Sequence, residues 1–376
     1  MKEIVNRDYR ICTRCIMDNV SSPSIVFDDK GVCNFCHKFD EDNSLYGYKG
    51  VKSDERLLEL IDNIKKAGKG KEYDCILGIS GGVDSAYLAH TAKKLGLRVL
   101  AVHVDAGWNS DVAVENIQKL CTGLDIDLHT IVIDWNSMKE LQRAYMFSGL
   151  VNLDVPQDHA FLAATFHYAM KHKIKYMLNG SNMATEGILP ETFGHAAVDF
   201  RHIKSVYKKC GRGEKIFDKY PHFNVLEYIW CQTKIKRVNL LNFVPYSKKM
   251  AIELLNEKYG WEYYGGKHYE SRFTKYFQGA FLVDKFGYDK RRAHLSSLVV
   301  GGEMNREEAL VEFEDKSAYS VEQQLEDREY IMKKLDITVS EWDRIMDTVR
   351  PDNYYKGNSE LISKLSGIKS KIYRIH

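Results

Sequence analysis

One short segment, residues 80–85, constrains the fold of this chain more than any other. It reads Ser-Gly-Gly-Val-Asp-Ser and lies between an apolar run at 75–79 and a helical pattern at 86–95. Glycines let backbone N–H groups approach an anion, and the positive end of the following helix dipole adds attraction. A glycine pair also permits the concave backbone nest that binds anions. The segment therefore predicts a strand–loop–helix unit that holds phosphate groups.

A regular alternation of strands and helices surrounds this segment. Strands are predicted at 75–79, 98–105, 128–133 and 174–178, and helices at 56–66, 84–95 and 157–173. Ser110 or Asp111 is the predicted cap of a further helix. Strands that alternate with helices are typical of a parallel sheet covered by helices on both faces. The chain is therefore predicted to have an α/β fold.

Polar residues follow several of the predicted strands. In parallel sheets, ligands bind beyond the carboxyl ends of the strands. We therefore expect residues 80–85, 103–108 and 179–182 to converge, with His103, Asp105 and Gly180 among them. His103 and Asp105 would face a nucleotide or a metal, or would only cap the ends of their strand.

Composition narrows the classes of protein to which the chain can belong. The 376 residues carry a net charge of +2, which is modest for a dedicated nucleic-acid binder but does not exclude one. No run of about 18 apolar residues and no N-terminal signal pattern is visible, so a cytoplasmic protein without membrane attachment is expected. In that compartment the eight cysteines are predicted to be thiols or metal ligands rather than disulfides.

Four of these cysteines form two Cys-x-x-Cys pairs near the N-terminus. Cys12 and Cys15 are separated from Cys33 and Cys36 by seventeen residues, a spacing typical of tetrahedral zinc sites. The intervening sequence predicts a short hairpin, as in a zinc ribbon. A redox role is disfavoured because neither pair is predicted to lie at a strand-to-helix junction. Structural zinc is expected, since a subdomain of about fifty residues cannot build a sufficient hydrophobic core without a metal or a disulfide.

These patterns divide the chain into three predicted units. Residues 1–50 form a zinc-binding subdomain, 51–245 the α/β domain with the glycine-rich loop, and 246–376 a mostly helical region. The stretch 183–213 is predicted to consist mainly of loops. Amphipathic helices are predicted at 247–259 and 321–335.

The glycine-rich segment resembles the PP-loop of ATP pyrophosphatases, in the adenine nucleotide alpha-hydrolase-like (HUP-type) superfamily. No Gly-Lys-Ser/Thr follows the glycines, so the segment is not a Walker A loop. The resemblance implies cleavage of ATP between the α and β phosphates, transfer of AMP to a carbonyl oxygen, and displacement of AMP by a nucleophile. Mg²⁺ is expected because it shares the charge of the departing pyrophosphate.

A resemblance to the N-acetyl sugar amidotransferases of bacterial surface-polysaccharide synthesis extends over most of the chain. It rests on the zinc-type cysteines and on the segments at 12–18, 258–261, 264–271, 285–292 and 294–296. It implies a synthetase that converts an acetamido sugar into an acetamidino sugar for lipopolysaccharide, capsule or flagellin glycans. The implied substrate is an acidic or nucleotide-linked N-acetyl sugar. Residues 246–376 would then complete the sugar and phosphate site, and 183–213 would form a wall of the sugar pocket. Separate glutaminase and cyclase-like subunits would supply the ammonia.

The candidate site residues follow from the motifs together with this resemblance. Predicted catalytic residues are Asp84, Lys267, His268 and Glu270. Predicted nucleotide and phosphate contacts are Ser80, Gly81, Gly82, Asp84, Ser85, His103, Asp105, Gly180, Lys285, Arg291 and Arg292. Asp84 would hold Mg²⁺ or orient the loop, or would only cap its helix. His268 and Glu270 would act as acid or base, or would only hold the lysines in place.

Two other functions compete with this one. A tRNA thiolase or lysidine-type synthetase also joins a PP-loop to zinc cysteines in some cases. Sulfur transfer usually needs cysteines downstream of the loop, and this chain has no Cys-x-x-Cys after Cys36. A non-enzymatic nucleotide-binding zinc adaptor is the second alternative. The intact loop and the polar residues at 267–270 argue against it.

Overall fold

A parallel five-stranded sheet is the centre of the molecule. The computed structural model describes residues 8–22, 24–46, 52–190, 197–315, 317–358 and 361–362. The strands are β1 (Cys75–Gly78), β2 (Val99–Asp105), β3 (Asp127–Val132), β4 (Tyr176–Leu178) and β5 (Lys236–Val238). Their order is β3-β2-β1-β4-β5, and every neighbouring pair is parallel. This confirms the predicted fold class.

Sixteen α-helices in the described part of the chain cover the sheet and extend it. The first eight are α1 (Asn34–Tyr46), α2 (Lys52–Gly68), α3 (Val83–Lys94), α4 (Asp111–Leu124), α5 (Trp135–Met146), α6 (Val155–Lys171), α7 (Met183–Glu186) and α8 (Phe200–Cys210). The other eight are α9 (Val225–Lys234), α10 (Lys248–Tyr259), α11 (Arg272–Tyr276), α12 (Leu282–Phe286), α13 (Lys290–Val300), α14 (Arg306–Glu314), α15 (Val321–Lys334) and α16 (Val339–Asp347). None of the described helices is long and apolar enough to span a lipid bilayer.

Successive side chains of β1 point to opposite faces of the sheet and contribute to two separate hydrophobic cores. Cys75 and Leu77 pack with α2, α3, α4 and α10, whereas Ile76 packs with α5, α6, α8 and the helices after residue 270. Because successive strand side chains point to opposite faces, an apolar strand can serve both cores. The C-terminal helices therefore share a core with the central sheet.

The strand order places a crevice beside β1. From β1 the chain continues outward to β2 and then β3 on one side of the sheet. It then returns to the other side of β1, where β4 and β5 are added in turn. At such a reversal, the loops after the two central strands separate and leave room for a ligand. The loop at 79–82 follows β1 and the segment at 179–182 follows β4, so both predicted polar segments border this crevice.

The structure differs from the sequence predictions at several elements. Helices α7 and α8 lie within 183–213, which was predicted to be mainly loop, and residues 191–196 of that stretch are outside the described residues. Strand β5 was not predicted. Between the cysteine pairs, the predicted short hairpin is present as an antiparallel bridge from Phe27 to Cys33 around a turn at 28–31, and a further bridge, Ile11–Asp18, encloses the first pair. Cys33 also directly precedes α1, so the second pair does lie at a helix start, contrary to the prediction.

Candidate active site

Two glycines shape the loop between β1 and α3. Gly81 has a φ of +84°, and a Cβ there would lie 2.6 Å from the carbonyl oxygen of Ala113. Its own carbonyl oxygen accepts a hydrogen bond of 3.1 Å from Trp261 Nε1. Gly82 is the N-cap of α3, and no side chain caps this helix. The first N–H groups of α3 are therefore left without a side-chain acceptor, as an anion site requires.

Two serines hold the shape of this loop. Ser80 Oγ accepts a hydrogen bond of 3.2 Å from the backbone N–H of Gly82, and Ser85 Oγ donates one of 3.0 Å to the carbonyl of Gly82. Both serines also line the cavity described below. The hydroxyls thus order the loop before any ligand binds, and direct phosphate contact by Ser80 and Ser85 stays a prediction.

Asp84 lies in the first turn of α3 but does not cap it. Its Oδ1 accepts hydrogen bonds from the hydroxyl of Tyr246 and from Asn182 Nδ2, the latter at 3.3 Å. Its Oδ2 lies 3.7 Å from Lys267 Nζ. Asp84 therefore joins the loop after β1 to the segment after β4 and to the C-terminal region, which argues against the capping alternative.

Lys267 is a buried cation that is surrounded by acceptors. Its Nζ lies 2.9 Å from Glu186 Oε1 and donates to Thr185 Oγ1 at 3.1 Å. Burial opposes the charge, but Glu186 and Asp84 outweigh it and hold the pKa of Lys267 above its ordinary value. Lys267 is therefore charged at neutral pH, which suits it to neutralise phosphate and not to act as a base.

Glu270 places a carboxylate at the mouth of the loop. Its Oε1 accepts a hydrogen bond of 3.4 Å from Ser80 Oγ, whereas its buried Oε2 has no hydrogen-bond partner among the described residues. Burial, together with the carboxylate of Asp84, raises the pKa of Glu270. A buried carboxylate oxygen in this position suits a bound cation or a donor from a ligand.

His268 is held by a short chain of hydrogen bonds. Asp154 Oδ2 accepts from Gln278 Nε2 at 3.1 Å, so Gln278 Oε1 faces His268 Nδ1, also at 3.1 Å. This orientation makes Nδ1 the protonated nitrogen and leaves Nε2 with its lone pair. Burial and the nearby Lys267 and Lys290 lower the pKa of His268 to about 3, so the ring is neutral at pH 7.

These side chains line one cavity of about 540 Å³. That volume lies within the range of about 300–1,000 Å³ that is usual for small-molecule sites. Part of its lining is apolar, namely Ile79, Val102, Val104 and Phe161. Another part, called the polar end below, consists of the charged and polar side chains of Asp154, Asp158, Thr274, Gln278, Lys290 and His294. The cavity thus combines an apolar wall and a polar end with the glycine-rich loop at 80–85, called the phosphate loop below.

Asp158 is the most perturbed acid at the polar end. Asp158 is exposed to the open space of the cavity, and the incomplete hydration of its carboxyl there, together with the neighbouring Asp154, raises its pKa from 3.8 to about 7. Between those values the folded protein binds more protons than the unfolded chain, so this carboxyl lowers stability as the pH rises. We expect Asp158→Asn to raise the melting temperature by on the order of 1–3 °C at pH 8.

At pH 4 the gain from Asp158→Asn should vanish, because Asp158 is then protonated in the folded protein. Calorimetry at pH 4, 6 and 8 would measure this, with the exposed Asp343→Asn as the control. A gain that is equal at all three pH values would contradict the assignment.

His103, Asp105 and Gly180 lie at the strand ends as predicted. His103 Nδ1 donates to the carbonyl of Ile79 at 2.9 Å and its Nε2 accepts from Asn109 Nδ2 at 3.0 Å. Both ring nitrogens are thus engaged, which disfavours His103 as a metal ligand. Asp105 accepts from the same Asn109 amide at 2.9 Å and orients it rather than lining the cavity. A Cβ at Gly180 would lie 3.3 Å from the backbone nitrogen of Ser85, so Gly180 borders the loop directly.

Three predicted phosphate contacts lie elsewhere. Lys285 Nζ donates to the carbonyl of Ile345 at 2.7 Å, and its burial lowers the pKa of the amine to about 8. Arg291 pairs with Asp289 at 2.8 Å, and Arg292 donates to the carbonyl of Ile16 at 2.6 Å. None of these three side chains lines the cavity. They hold loops and helices together, and we correct their assignment accordingly.

The charges around the cavity suit a bound divalent cation. Its walls carry five carboxylates and three lysines, namely Asp84, Asp154, Asp158, Glu186, Glu270, Lys248, Lys267 and Lys290. A triphosphate could not enter such a site without cations to offset its charge. Asp84 and the unpartnered oxygen of Glu270 supply the hard oxygen ligands that Mg²⁺ prefers, so the residues present fit this ion.

The four N-terminal cysteines form a compact buried cluster. Their Sγ atoms all lie within 4.8 Å of one another, with close pairs at 3.6, 3.7 and 3.9 Å. A tetrahedral zinc ion with Zn–S bonds of about 2.3 Å needs sulfur–sulfur distances of roughly 3.8 Å. The backbone N–H groups of Cys15 and Cys33 point to Cys12 Sγ, at 3.5 and 3.3 Å. The cluster is therefore compatible with zinc.

Sequence reasoning missed several residues of the cavity. Asp154 and Asp158 lie one turn apart at the start of α6, which was predicted to begin only at residue 157. Pro156 in the first turn was the signal that could have moved this start. Tyr246 and Gln278 had no such signal, because their roles depend on contacts with residues more than a hundred positions away in the sequence.

Two family models match separate parts of this chain. A model described as NAD synthase matches residues 55–216. A model described as LPS biosynthesis protein WbpG-like, C-terminal domain, matches residues 270–368. The first range contains the phosphate loop and the ends of β1, β2 and β4, and the second begins at Glu270 and contains α13. The cavity is therefore built from both matched regions.

Comparison with individual proteins gives weaker likenesses. A tRNA(Ile)-lysidine synthase from Chlamydia pneumoniae is 35% identical over 71 residues, which span 18% of this chain and only 22% of that protein. An NH3-dependent NAD synthetase from Campylobacter jejuni is 17% identical with a TM-score of 0.29, over 55% of this chain and 93% of that one. An NMN synthetase from Francisella tularensis is 14% identical with a TM-score of 0.36, over 76% of this chain and 97% of that one.

Proposed function

We propose the function of this chain on the premise that it belongs to the PP-loop ATP pyrophosphatase superfamily and carries a WbpG-like LPS biosynthesis domain. The proposed reaction converts the acetamido group of a sugar into an acetamidino group. The two matched regions support an ATP-using synthetase that forms C–N bonds. The particular acceptor and the acetamidino product are our proposal. The observation that carries it is one cavity that joins the phosphate loop to a polar end built by both matched regions, with Asp154 and Asp158 from the first and Lys290 from the second.

The first proposed step is adenylation of the amide oxygen. This oxygen attacks the α-phosphorus of ATP, the bond between the α and β phosphates breaks, and pyrophosphate leaves. The open N–H groups of α3 and the cation of Lys267 bind the phosphates and offset the charge of pyrophosphate. Mg²⁺ held by Asp84 and Glu270 would screen the phosphate charge and polarise the reacting phosphoryl group.

The second proposed step replaces AMP with ammonia. Ammonia adds to the imidate carbon, the C–O bond to AMP breaks, and the added nitrogen loses a proton. The carboxylate of Glu270, whose pKa is raised, is the better candidate to accept this proton, whereas neutral His268 can accept a hydrogen bond from the incoming ammonia at Nε2. Water must be kept out of the same position, because its attack would only restore the amide.

The polar end of the cavity is the proposed sugar site. Asp158, Thr274 and Lys290 offer hydrogen-bond acceptors and donors to hydroxyl or carboxylate groups of an acidic or nucleotide-linked N-acetyl sugar. The base and ribose of ATP would lie against the apolar part of the wall at Ile79 and Val102, beside the phosphate loop. We further propose that the cysteine cluster holds structural zinc and that separate glutaminase and cyclase-like subunits deliver ammonia.

The proposal is tested by giving the isolated chain ATP, Mg²⁺ and a panel of acetamido sugars. With ammonium chloride, mass spectrometry should find a sugar that is lighter by the difference between oxygen and NH, with AMP and pyrophosphate formed in equal amounts. Glutamine should not replace ammonium, because the sequence offers no recognisable glutaminase nucleophile. Formation of ADP and orthophosphate, or turnover with glutamine alone, would contradict the proposal.

The same experiment separates the competing functions. A lysidine-type or thiolase activity would consume ATP only when RNA is present, and binding to that RNA would weaken steeply with salt. A nucleotide-binding adaptor would release no pyrophosphate with any acceptor. Either result would replace the amidotransferase assignment while leaving the fold and the phosphate loop as described.

A further inference from the structure

Helix α13 separates the cysteine cluster from the cavity. Lys290 and His294, one turn apart, line the cavity. Arg292 and Ser296, also one turn apart, contact the loop that contains Cys12 and Cys15. Residues four positions apart share one face of a helix, so one helix presents two different faces to two different sites.

The contacts between α13 and the cysteine loop are made to backbone groups. Arg292 Nη1 donates to the carbonyl of Ile16 at 2.6 Å, and the N–H of Ile16 donates to Ser296 Oγ at 3.2 Å. Both polar backbone groups of the residue after Cys15 are therefore fixed by α13. A buried ion pair of 3.2 Å between Arg292 and Asp18 adds to this attachment.

A second arginine binds the same loop from α14. Arg306 Nη2 donates to the carbonyl of Cys12 at 3.0 Å, and its Nε donates to the carbonyl of Cys15 at 3.1 Å. These two carbonyls belong to the residues that open and close the first cysteine pair. Their positions depend on the sulfur cluster, because a bound ion would hold four thiolates that otherwise repel one another.

The cavity wall also meets the cysteine cluster through Ile188. This residue lines the cavity, and its N–H donates to Ser297 Oγ of α13 at 2.9 Å. Its side chain packs in the same apolar cluster as the four cysteines and Ala293. The cysteine cluster is therefore joined to the polar end of the cavity by two routes.

We propose that Arg292, Ser296 and Arg306 are positioning residues that transmit the geometry of the metal-bound cysteine cluster to Lys290, His294 and Ile188. The inference rests on the proposed function, which assigns the polar end of the cavity to the sugar. Metal loading then controls the affinity of the chain for the sugar, whereas the phosphate loop, which packs on β1 and α4, keeps its affinity for ATP.

Hydrogen exchange followed by mass spectrometry tests the positioning directly. The full chain is compared with zinc bound and after its removal by a chelator at pH 7. Amides of α13 and of residues 187–190 should exchange at least about tenfold faster without zinc, while those of β1 and β2 are unchanged. Faster exchange confined to residues 8–46, or uniform across the chain, would overturn the proposal.

A variant that retains zinc tests the same coupling in catalysis. Ser296→Ala should raise the KM for the acetamido sugar about tenfold, with the Kd for ATP within about twofold of wild type. The exposed Ser340→Ala serves as the control. No change in KM, or an equal loss of affinity for ATP, would overturn the positioning role. If the wild-type chain turns over no sugar, the proposed function fails, and the exchange experiment alone decides the positioning.

Discussion

Replacing Gly81 with alanine is expected to lower ATP-dependent turnover by about 10³-fold, because the phosphate loop loses its shape. The positive φ of +84° already strains an alanine, and its Cβ would collide with the carbonyl oxygen of Ala113 at 2.6 Å. Moving this backbone also displaces the N–H groups at the start of α3. Pyrophosphate release and calorimetric titration with ATP would measure the loss.

Gly70 offers a matched control for this substitution. Its φ is +75°, yet no atom lies within 4 Å of the position that a Cβ would take. Gly70→Ala should therefore cost only the local strain, about 1–2 kcal/mol, and leave turnover unchanged. If Gly81→Ala behaves like Gly70→Ala, the loop does not hold the phosphates and the proposed mechanism is wrong.

Loss of the cysteine site is expected to have the largest effect on stability. We expect Cys12→Ser combined with Cys15→Ser to abolish zinc binding and to unfold residues 8–46, since zinc binding contributes about 10–16 kcal/mol in small zinc peptides. The contacts of Arg292 and Arg306 with this loop would be lost as well. Metal analysis and differential scanning calorimetry would report zinc content and melting temperature.

Cys210→Ser is the control for the cysteine substitutions. Cys210 is half-buried and lies outside the cluster, where its thiol contacts the hydroxyl of Tyr355 at 3.3 Å. The serine variant should retain zinc and melt near the wild-type temperature. A soluble, zinc-free double variant with full activity and unchanged melting temperature would show that the cluster is not a structural metal site.

Local sequence patterns predicted the parts of this molecule that depend on local contacts. The loop at 80–85 could be placed because its strand, glycines and helix are contiguous, and the cysteine pairs because their spacing fits one ion. Parallel pairing of the strands followed from their alternation with helices. Asp84, Lys267, His268 and Glu270 do line one cavity, whereas their chemical roles remain predictions.

Long-range contacts determine what the sequence could not predict. Arg292 looked like an anion ligand because it stands among basic residues after a glycine, yet its partner is Asp18, 274 positions earlier. Lys285 similarly donates to a carbonyl that lies 60 positions later. Strand β5 escaped prediction because Lys236 and Arg237 are exposed on a short edge strand and show no apolar run.

The hydrogen bond from Trp261 to the carbonyl of Gly81 limits how the chain can be recombined. Trp261 is fully buried and belongs to the segment beyond α10, whereas Gly81 belongs to the nucleotide domain. A chimera that joins the first 245 residues of this chain to the C-terminal half of a distant relative would leave this acceptor without its donor unless the indole is kept. A functional chimera therefore has to take the phosphate loop and Trp261 from the same parent protein.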